Sequence, residues 1–230
     1  MFHAVFHPSI PPEQGFGALP TGRPGGYPTA APARPTPLSD LQWQLHGPAS
    51  PGRAGVEAFV QTVYARRHGA RVRQFAPTLV SLDDHGGPVA AAGYRLAAQG
   101  PLFLERYLDA PVEVLIGAQA GDAPPREAIV EVGHLAASRD GAGRRLIHRL
   151  GPHLAALGCT WVVGTLTEEL RALFVRLGVT PLTLAAADPT RLGDARDVAD
   201  WGRYYEHRPM VLAGHLPRAL QRLGARRARP

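Results

Sequence analysis

A glutamate and a histidine lie three positions apart inside an otherwise apolar run, IVEVGHLAA (129–137). Carboxylate and imidazole groups exchange protons near neutral pH, so Glu131 and His134 are candidates for general acid–base chemistry. The run predicts a buried strand, in which these two side chains would point to opposite faces. Gly133 lies between them, and a glycine inside a strand often marks a β-bulge. A bulge at Gly133 would bring both side chains to one face, whereas a glycine that only relieves packing against a helix would not.

The next stretch, SRDGAGRRL (138–146), brings glycine and arginine to the predicted start of a helix. Free N–H groups at a helix N-terminus attract phosphate, and nearby arginines strengthen that attraction. The positions concerned are Arg139, Gly141, Gly143, Arg144 and Arg145. The loop is therefore a candidate for binding a diphosphate or an acidic protein, and a flexible, solvated helix cap is the alternative.

Strands and helices alternate around these residues. Apolar spacing predicts a helix that stops at Gly69, a hairpin around DDHGGP, and a second strand, CTWVVGTL, after a helix. Pro152 lies inside that helix and is expected to kink or divide it. The order β-α-β-β followed by β-α-β-α-β-β predicts a single α/β domain with a mixed sheet flanked by helices.

Composition divides the 230 residues into three regions. Residues 1–37 are rich in proline and glycine without periodicity, which predicts a disordered leader. Residues 38–216 carry the periodic pattern of a folded domain, and residues 217–230 form a basic C-terminal tail. No secretory signal and no apolar run of membrane-spanning length is expected.

The charge indicates the class of partner. The formal net charge is +6, and all 25 basic residues are arginine. Such a balance favours phosphates, nucleic acid, anionic lipid or an acidic carrier protein. The only cysteine, Cys159, excludes an internal disulfide and is consistent with a cytoplasmic protein. The histidines show no metal-ligand spacing, so no metal is expected.

Several stretches, taken together and in this order, resemble a known family. They are GYRL (93–96), LFLERYLD (102–109), IVEVGHLAA (129–137), LGCTWVVGTLTEELRALFVRLGV (157–179) and WGRYYEHRPMVLAG (201–214). The chain resembles the thermostable haemolysins, and with them the acyl-homoserine-lactone synthases and other N-acyltransferases of the GNAT-like fold. The resemblance implies a transfer of an acyl group from acyl-CoA or acyl-carrier protein, as co-substrate, to a small-molecule amine.

The resemblance also implies where the donor lies. In GNAT-like folds two neighbouring strands splay apart, and the pantetheine arm lies in the gap beside a bulge. Here the pair would be 129–137 and 160–166, with Gly133 and Leu135 beside the donor. The loop residues Arg139, Gly141, Gly143 and Arg144 would receive its phosphates or the carrier protein, although Ser138 stands where the usual loop motif has Gln or Arg.

Three further positions follow from the same resemblance. Glu131 matches the first position of a Glu-x-x-Arg strand motif, with His134 in place of the arginine. Glu131 would then be the general base or bind the amine, with His134 sharing the proton transfer. A structural carboxylate paired with Arg95, and a core histidine at 134, are the alternatives. Arg95 is a candidate for binding a substrate carboxylate, and an arginine on a solvated face is the alternative.

The remaining candidates come from two aromatic motifs. Tyr204 is the candidate acid for the leaving thiolate, and Tyr205 and Glu105 are placed at the substrate end; packing in the core is the alternative for either tyrosine. Two other functions stay open. One is a membrane-active haemolysin, and the other is a basic nucleic-acid-binding module, for which no known motif is present.

Overall fold

One seven-stranded sheet organises the fold, which the computed structural model describes over residues 36–227. The strands are β1 (Gln42–His46), β2 (Thr78–Asp84), β3 (Gly87–Leu96), β4 (Ile129–Ala137), β5 (Trp161–Leu166), β6 (Leu182–Ala186) and β7 (Met210–His215). Their order across the sheet is β1-β2-β3-β4-β5-β7-β6. Neighbours are antiparallel except β4 and β5, which are parallel. The predicted α/β domain with a mixed sheet is confirmed.

Helices cover both faces of this sheet. They are α1 (Arg53–His68), α2 (Val112–Ala120), α3 (Ala142–Ala156), α4 (Glu168–Arg176), α5 (Ala195–Asp200) and α6 (Leu216–Arg227). A 3₁₀ segment, Phe103–Tyr107, connects β3 towards α2. One core cluster packs under α1, and a second packs under α3. Because β4 lies between the two clusters, all nine of its residues are buried, which explains its continuous apolar run.

Helix α1 forms where the apolar spacing predicts it. Val56, Val60 and Val63 are buried against the sheet, at the i, i+4, i+7 positions of one helical face. The helix ends at Gly69, which has a φ of 65° and donates its N–H to the carbonyl of Ala65. Glycine takes this left-handed conformation without a steric cost, so it is a natural helix stop.

Pro152 is expected to kink or divide helix α3, and the division is wrong. Helix α3 runs without interruption from Ala142 to Ala156 with Pro152 inside it. Proline removes one backbone hydrogen bond and crowds the preceding turn. Leu150 and Leu154, on either side of the proline, are both buried in the core under α3. We attribute the continuous helix to this packing, which holds the two turns against the sheet.

Buried residues lie in both segments that the sequence predicts as leader and tail. Residues 1–35 of the predicted leader lie outside the described residues, while Thr36 is already buried. Much of the predicted basic tail forms α6, in which Leu216 and Leu223 are buried. Within residues 36–227, no helix combines the length and the apolar character needed to cross a membrane.

Candidate active site

The central feature of the site is the separation of β4 from β5. The two strands pair only where Ile129–Glu131 lies beside Trp161–Val163. Beyond this point β4 continues with β3, and β5 continues with β7. Gly164 lies where the strands part, and a Cβ there would come within 2.7 Å of the Val132 carbonyl oxygen. The predicted splayed pair is therefore confirmed, and a glycine is required at its branch point.

A bulge interrupts β4 just beyond this branch point. Gly133 faces Gly93 on β3, and Ala136 faces Ala91. Two residues of β4, His134 and Leu135, therefore lie opposite the single Ala92. The sequence predicts the bulge at Gly133; the structure places it one residue later, with His134 in the left-handed region at a φ of 52°. Histidine is one of the non-glycine residues that adopt this region more often than most.

The bulge changes which side chains share a face. Val132 and Leu135 both belong to the core under α3, on one side of β4. Glu131 contacts the opposite side, where its carboxylate accepts the N–H groups of Phe103 at 2.9 Å and Leu104 at 3.0 Å.

His134 lies on that same opposite side. Its ring packs on Phe75 with 5.2 Å between the ring centroids, and its Nε2 lies 3.1 Å from the Gln74 carbonyl oxygen. Glu131 and His134 thus share one face, as the bulge hypothesis requires. Both side chains are completely buried.

The surroundings of Glu131 change its acidity. Burial raises its pKa to about 7, against the lowering effects of the two N–H bonds and of the positive charge on Arg95. Arg95 is its Cα partner on β3 and also donates to the Pro101 carbonyl oxygen. A carboxyl group that titrates near neutral pH is suited to proton transfer. The positive charge of the nearby Arg95 favours the ionised form of Glu131, so the proximity of the two residues is compatible with a role in proton transfer.

An ion pair fixes the segment that holds Glu131. Glu105 accepts the N–H groups of Leu102 and Val112 at 2.8 and 3.2 Å, and both of its oxygens accept from Arg126. Burial raises the pKa of Glu105, but the bonds from Arg126 and the two N–H groups outweigh it, so the pKa is lowered. Arg126 also donates to Glu113 at 2.7 Å. Glu105, which the family resemblance places at the substrate end, thus orders the segment next to Glu131.

The two neighbouring tyrosines make different contacts. Tyr204 is completely buried and donates its hydroxyl to the Thr165 carbonyl oxygen at 3.3 Å, on the part of β5 that has left β4. The hydroxyl of Tyr205 lies 2.7 Å from that of Tyr107. Burial raises the pKa of Tyr204 well above its ordinary value and that of Tyr205 to about 12. Both therefore keep their protons near neutral pH and can act as donors.

An apolar cavity lies on the other side of the branch point. Its volume is about 110 Å³. Its lining comes from β4, β5, β7 and the helices α3, α4 and α6, and includes Val132, Leu135, Leu150, Leu154, Gly164, Phe174, Leu220 and Leu223. Glu131 and His134 point away from it. The gap between β4 and β5 therefore separates a face with titratable side chains from a face with an apolar cavity.

The loop between β4 and α3 is covered by the chain that precedes β1. Arg139 donates to the Thr36 carbonyl oxygen at 2.6 Å and lies 3.5 Å from Asp84. Arg145 donates to the Ser39 carbonyl oxygen at 3.2 Å.

The same covering segment reaches the glycine at the start of α3. A Cβ on Gly141, which caps the helix with a φ of 77°, would come within 2.8 Å of Leu38 Cδ1. Gly143 is buried and Arg144 is exposed. In this arrangement Arg144 is the loop arginine directed to solvent, while Arg139 and Arg145 are held by residues 36–40.

The comparison with known families agrees with this architecture. The sequence model of one family, described as thermostable hemolysin, matches residues 46–220, which is most of the chain. The chain belongs to the thermostable hemolysin family. The matched range contains every strand after β1 and nearly all of the described helices. A search of curated proteins gave no match to this hemolysin-family chain.

Solved structures similar to this family member share its fold. TofI in an apo form has a TM-score of 0.55 at 15% identity, over 80% of this chain and 96% of that one. FeeM, an N-acyl amino acid synthase from uncultured soil microbes, has a TM-score of 0.55 at 14% identity, over 83% and 99%. BjaI, a CoA-dependent acyl-homoserine lactone synthase solved with SAM and isopentyl-CoA, has a TM-score of 0.52 at 14% identity, over 83% and 90%. The fold of this hemolysin-family chain is therefore the GNAT-like fold of these synthases.

Two parts of the candidate active site were not recognised from the sequence. Arg126 follows two prolines, and in the sequence it looks like an ordinary solvent-exposed arginine. In the structure it orders the segment whose N–H groups bind Glu131. Residues 36–40 span the predicted boundary between the proline-rich leader and the domain, yet they cover the loop before α3. Within the described residues, no group of three His, Cys, Asp or Glu side chains is arranged to hold a metal ion.

Proposed function

We propose that the protein is an N-acyltransferase that moves an acyl group from acyl-CoA or acyl-carrier protein to the amine of a small molecule. The observation that carries this proposal is the gap between β4 and β5, with a buried carboxyl group on one face and an apolar cavity on the other. The similarity in fold to an N-acyl amino acid synthase and to a CoA-dependent acyl-homoserine lactone synthase supports it.

The donor would lie along the gap. Its acyl chain would occupy the apolar cavity, because burial of methylene groups there removes them from water. The pantetheine arm would run beside Gly133 and Leu135. The phosphates, or an acidic carrier protein, would meet the loop that contains Arg139, Gly141, Gly143 and Arg144, where the helix N-terminus and the arginines supply positive charge.

The transfer needs a base, an oxyanion donor and an acid. Glu131, in its ionised form, would take the amine proton directly or through water as the amine nitrogen attacks the thioester carbonyl. The bulged backbone of β4 would stabilise the developing oxyanion, because an extra residue takes peptide groups out of the ladder. As the new C–N bond forms and the C–S bond breaks, Tyr204 would give its proton to the thiolate, and the proton that Glu131 took from the amine would return to Tyr204 through water, so that one amine proton ends on the thiol.

The other polar residues would serve the acceptor. His134 shares the face of Glu131 and would assist the proton transfer. Arg95 would bind a carboxylate of the acceptor through its guanidinium group. Tyr205 would contribute a hydrogen bond at the same end, and Glu105 would act by ordering residues 102–108. A small-molecule acceptor with both an amine and a carboxylate fits this set of groups.

Mass spectrometry of small molecules that co-purify with the protein tests the donor class, followed by calorimetry with acyl-CoAs from butanoyl to dodecanoyl. We expect binding that strengthens with chain length until the cavity is filled, and co-purified species that carry an acyl chain. Glu131→Gln should keep donor binding and lose turnover, while Glu127→Gln, at an exposed carboxylate before β4, should keep both. Absence of binding for every donor length would contradict the proposal.

Membrane lysis is a second candidate, which the description of the family favours. It would require an apolar surface that reaches lipid. The apolar stripes of α1 and α3 are instead buried against the sheet. Dye release from vesicles of phosphatidylcholine with phosphatidylglycerol tests this candidate. Release that is unaffected by Glu131→Gln, together with no binding of any acyl-CoA, would favour lysis over acyl transfer.

A further inference from the structure

The hydroxyl of Thr165 is buried on the part of β5 that has left β4. Thr165 lies two residues after Val163, the last β5 residue that pairs with β4, and its exposed fraction is 1%. Among the described residues its Oγ1 has no hydrogen-bond partner. Trp161 and Val163 face the core under α1, so the two-residue period of a strand places Thr165 on that face too. This is the face of Glu131 and His134.

A second buried hydroxyl lies in the same region. Tyr64, on α1, is completely buried, and its hydroxyl also has no hydrogen-bond partner among the described residues. Its ring lies 6.3 Å from Trp201, whose ring lies 5.5 Å from Tyr204. Tyr204 donates to the carbonyl oxygen of Thr165. Tyr204 therefore meets Thr165 at the diverging end of β5, and Tyr64 is connected to Tyr204 through the ring of Trp201.

A buried hydroxyl without a hydrogen-bond partner lowers the stability of the folded protein unless water or a ligand binds to it. Most buried polar groups in proteins have a partner, and those without one mark sites for water or a ligand. Thr165 lies on the β5 side of the gap, and the bulge at His134 lies on the β4 side. A thioester whose acyl chain fills the cavity and whose carbonyl lies in the gap would reach the hydroxyl of Thr165.

We propose that Thr165 is a further catalytic residue, whose hydroxyl donates a hydrogen bond to the thioester carbonyl oxygen of the acyl donor. The bulged backbone of β4 and the hydroxyl of Thr165 would then approach this oxygen from the two sides of the gap. Thr165 keeps its proton throughout, so the step needs no other reactant. This inference rests on the proposed acyl transfer, and it adds the group that recognises the reacting carbonyl.

Replacing Thr165 by valine distinguishes a catalytic role of its hydroxyl from a role in stabilising the fold. Valine replaces the hydroxyl by a methyl group, which removes an unsatisfied polar atom from the core of the free protein. Thr165→Val should therefore leave the melting temperature unchanged or raise it. A threonine that only supports the fold would instead lose stability on this change. Thr165→Ser restores the hydroxyl and is the conservative variant.

The decisive experiment compares two ligands by calorimetry. Octanoyl-CoA has the thioester carbonyl, and its octyl thioether analogue lacks it. Thr165→Val should weaken binding of octanoyl-CoA by roughly fivefold to tenfold, the loss of one hydrogen bond, with less than about a twofold change for the thioether. Thr165→Ser should recover most of the loss. Thr62→Val, at an exposed threonine of α1 that donates to the Ala58 carbonyl oxygen, is the matched control and should change binding of neither ligand.

Three other outcomes would overturn the inference, and each would show a different reason for its failure. An equal change for both ligands, or no change for either, would show that Thr165 does not bind the carbonyl. A lower melting temperature for Thr165→Val would indicate a structural hydroxyl or one that holds an ordered water. If the parent protein binds neither ligand, the proposed acyl transfer itself fails, and the role of Thr165 fails with it.

Discussion

Glu131 and His134 lie on one face of β4, although two residues separate them along the strand. In a regular strand their side chains would point to opposite faces. The bulge at His134 and Leu135 adds the extra residue that removes this difference. This shared face is the structural basis of the proposed proton-transfer site, and it depends on the small residues that face the bulge.

Gly93→Ala should disturb this bulge. A Cβ on Gly93 would come within 2.8 Å of Ala76 Cβ and 2.9 Å of His134 Nδ1. Overpacking of this kind costs about 1–3 kcal/mol of unfolding free energy, which denaturant titration measures. Turnover should fall by more than the loss of stability explains, because His134 must move. Gly55→Ala in α1 is the control and should stabilise slightly, because beyond its chain neighbours and its own helix backbone no atom of residues 36–227 lies within 4 Å of the new Cβ. An unchanged stability of Gly93→Ala would contradict the described packing.

The acidity of Glu131 should appear in the pH dependence of stability. Its pKa is raised from an ordinary value of 4.5 to about 7. Between these values the unfolded chain loses the proton while the native protein keeps it, so the free energy of unfolding falls as the pH rises from about 4.5 to 7. The fall is on the order of 3 kcal/mol, since one pKa unit corresponds to about 1.4 kcal/mol. Glu131→Gln should remove it, which urea titrations of both proteins at pH 4–8 measure.

The same titration should govern turnover. A general base acts in its ionised form, so the rate should rise as the pH passes through about 7. The difference in the free energy of unfolding between the parent protein and Glu131→Gln should change as the pH rises from about 4.5 to 7. A difference that does not vary with pH would show that the Glu131 carboxyl group is not perturbed by burial.

The apolar cavity predicts a change in acyl preference. Phe174 lines it from α4, and Phe174→Ala would extend the space available to the chain. Each additional buried methylene contributes about 0.8 kcal/mol, or roughly fourfold in affinity. The preferred acyl-CoA should therefore become longer by about two or more carbons in a calorimetric series. Val175→Ala, at the neighbouring side chain that is 61% exposed, should leave the preference unchanged. The same preference in Phe174→Ala would indicate that the chain lies elsewhere.

If the phosphates of coenzyme A meet the loop between β4 and α3 as proposed, residues 36–40, which cover this loop, should limit binding of coenzyme A. Leu38 rests against Gly141, and the carbonyl groups around it occupy Arg139 and Arg145. Leu38→Ala should loosen the segment and release both guanidinium groups, with a gain of about threefold to tenfold in affinity for coenzyme A at low salt. Leu45→Ala, on the exposed side of β1, is the control. Weaker binding by Leu38→Ala would show that the segment is part of the donor site.

Much of this fold follows from local sequence patterns. The strand at Ile129–Ala137 is predictable because both of its faces are buried, which leaves a continuous apolar run. The bulge is predictable to within one residue, since a glycine inside such a strand often marks a bulge or a close backbone approach. Its displacement to His134 depends on Gly93 and the side chains around it, which belong to another strand.

The remaining parts of the site depend on contacts between distant positions. Arg126 bonds to Ala97, Gly100 and Glu105, each more than 20 positions away along the chain. The hydroxyl of Thr165 has no hydrogen-bond partner among residues 36–227, which depends on what surrounds it after folding, and a threonine in a strand carries no local sign of this. Likewise, Pro152 locally predicts a kinked or divided helix, and we attribute the continuous α3 to the burial of Leu150 and Leu154 in the core.

The most direct test of acyl transfer measures thiol release from octanoyl-CoA with a pool of amino acids as acceptors, together with mass spectrometry of the products. The account predicts release that requires both the protein and an amine, an N-octanoyl product, and a loss of about 100-fold or more in Glu131→Gln, in line with the usual contribution of general acid–base catalysis. Release no faster than the blank across all donor lengths, with Glu131→Gln indistinguishable from the parent, would contradict it.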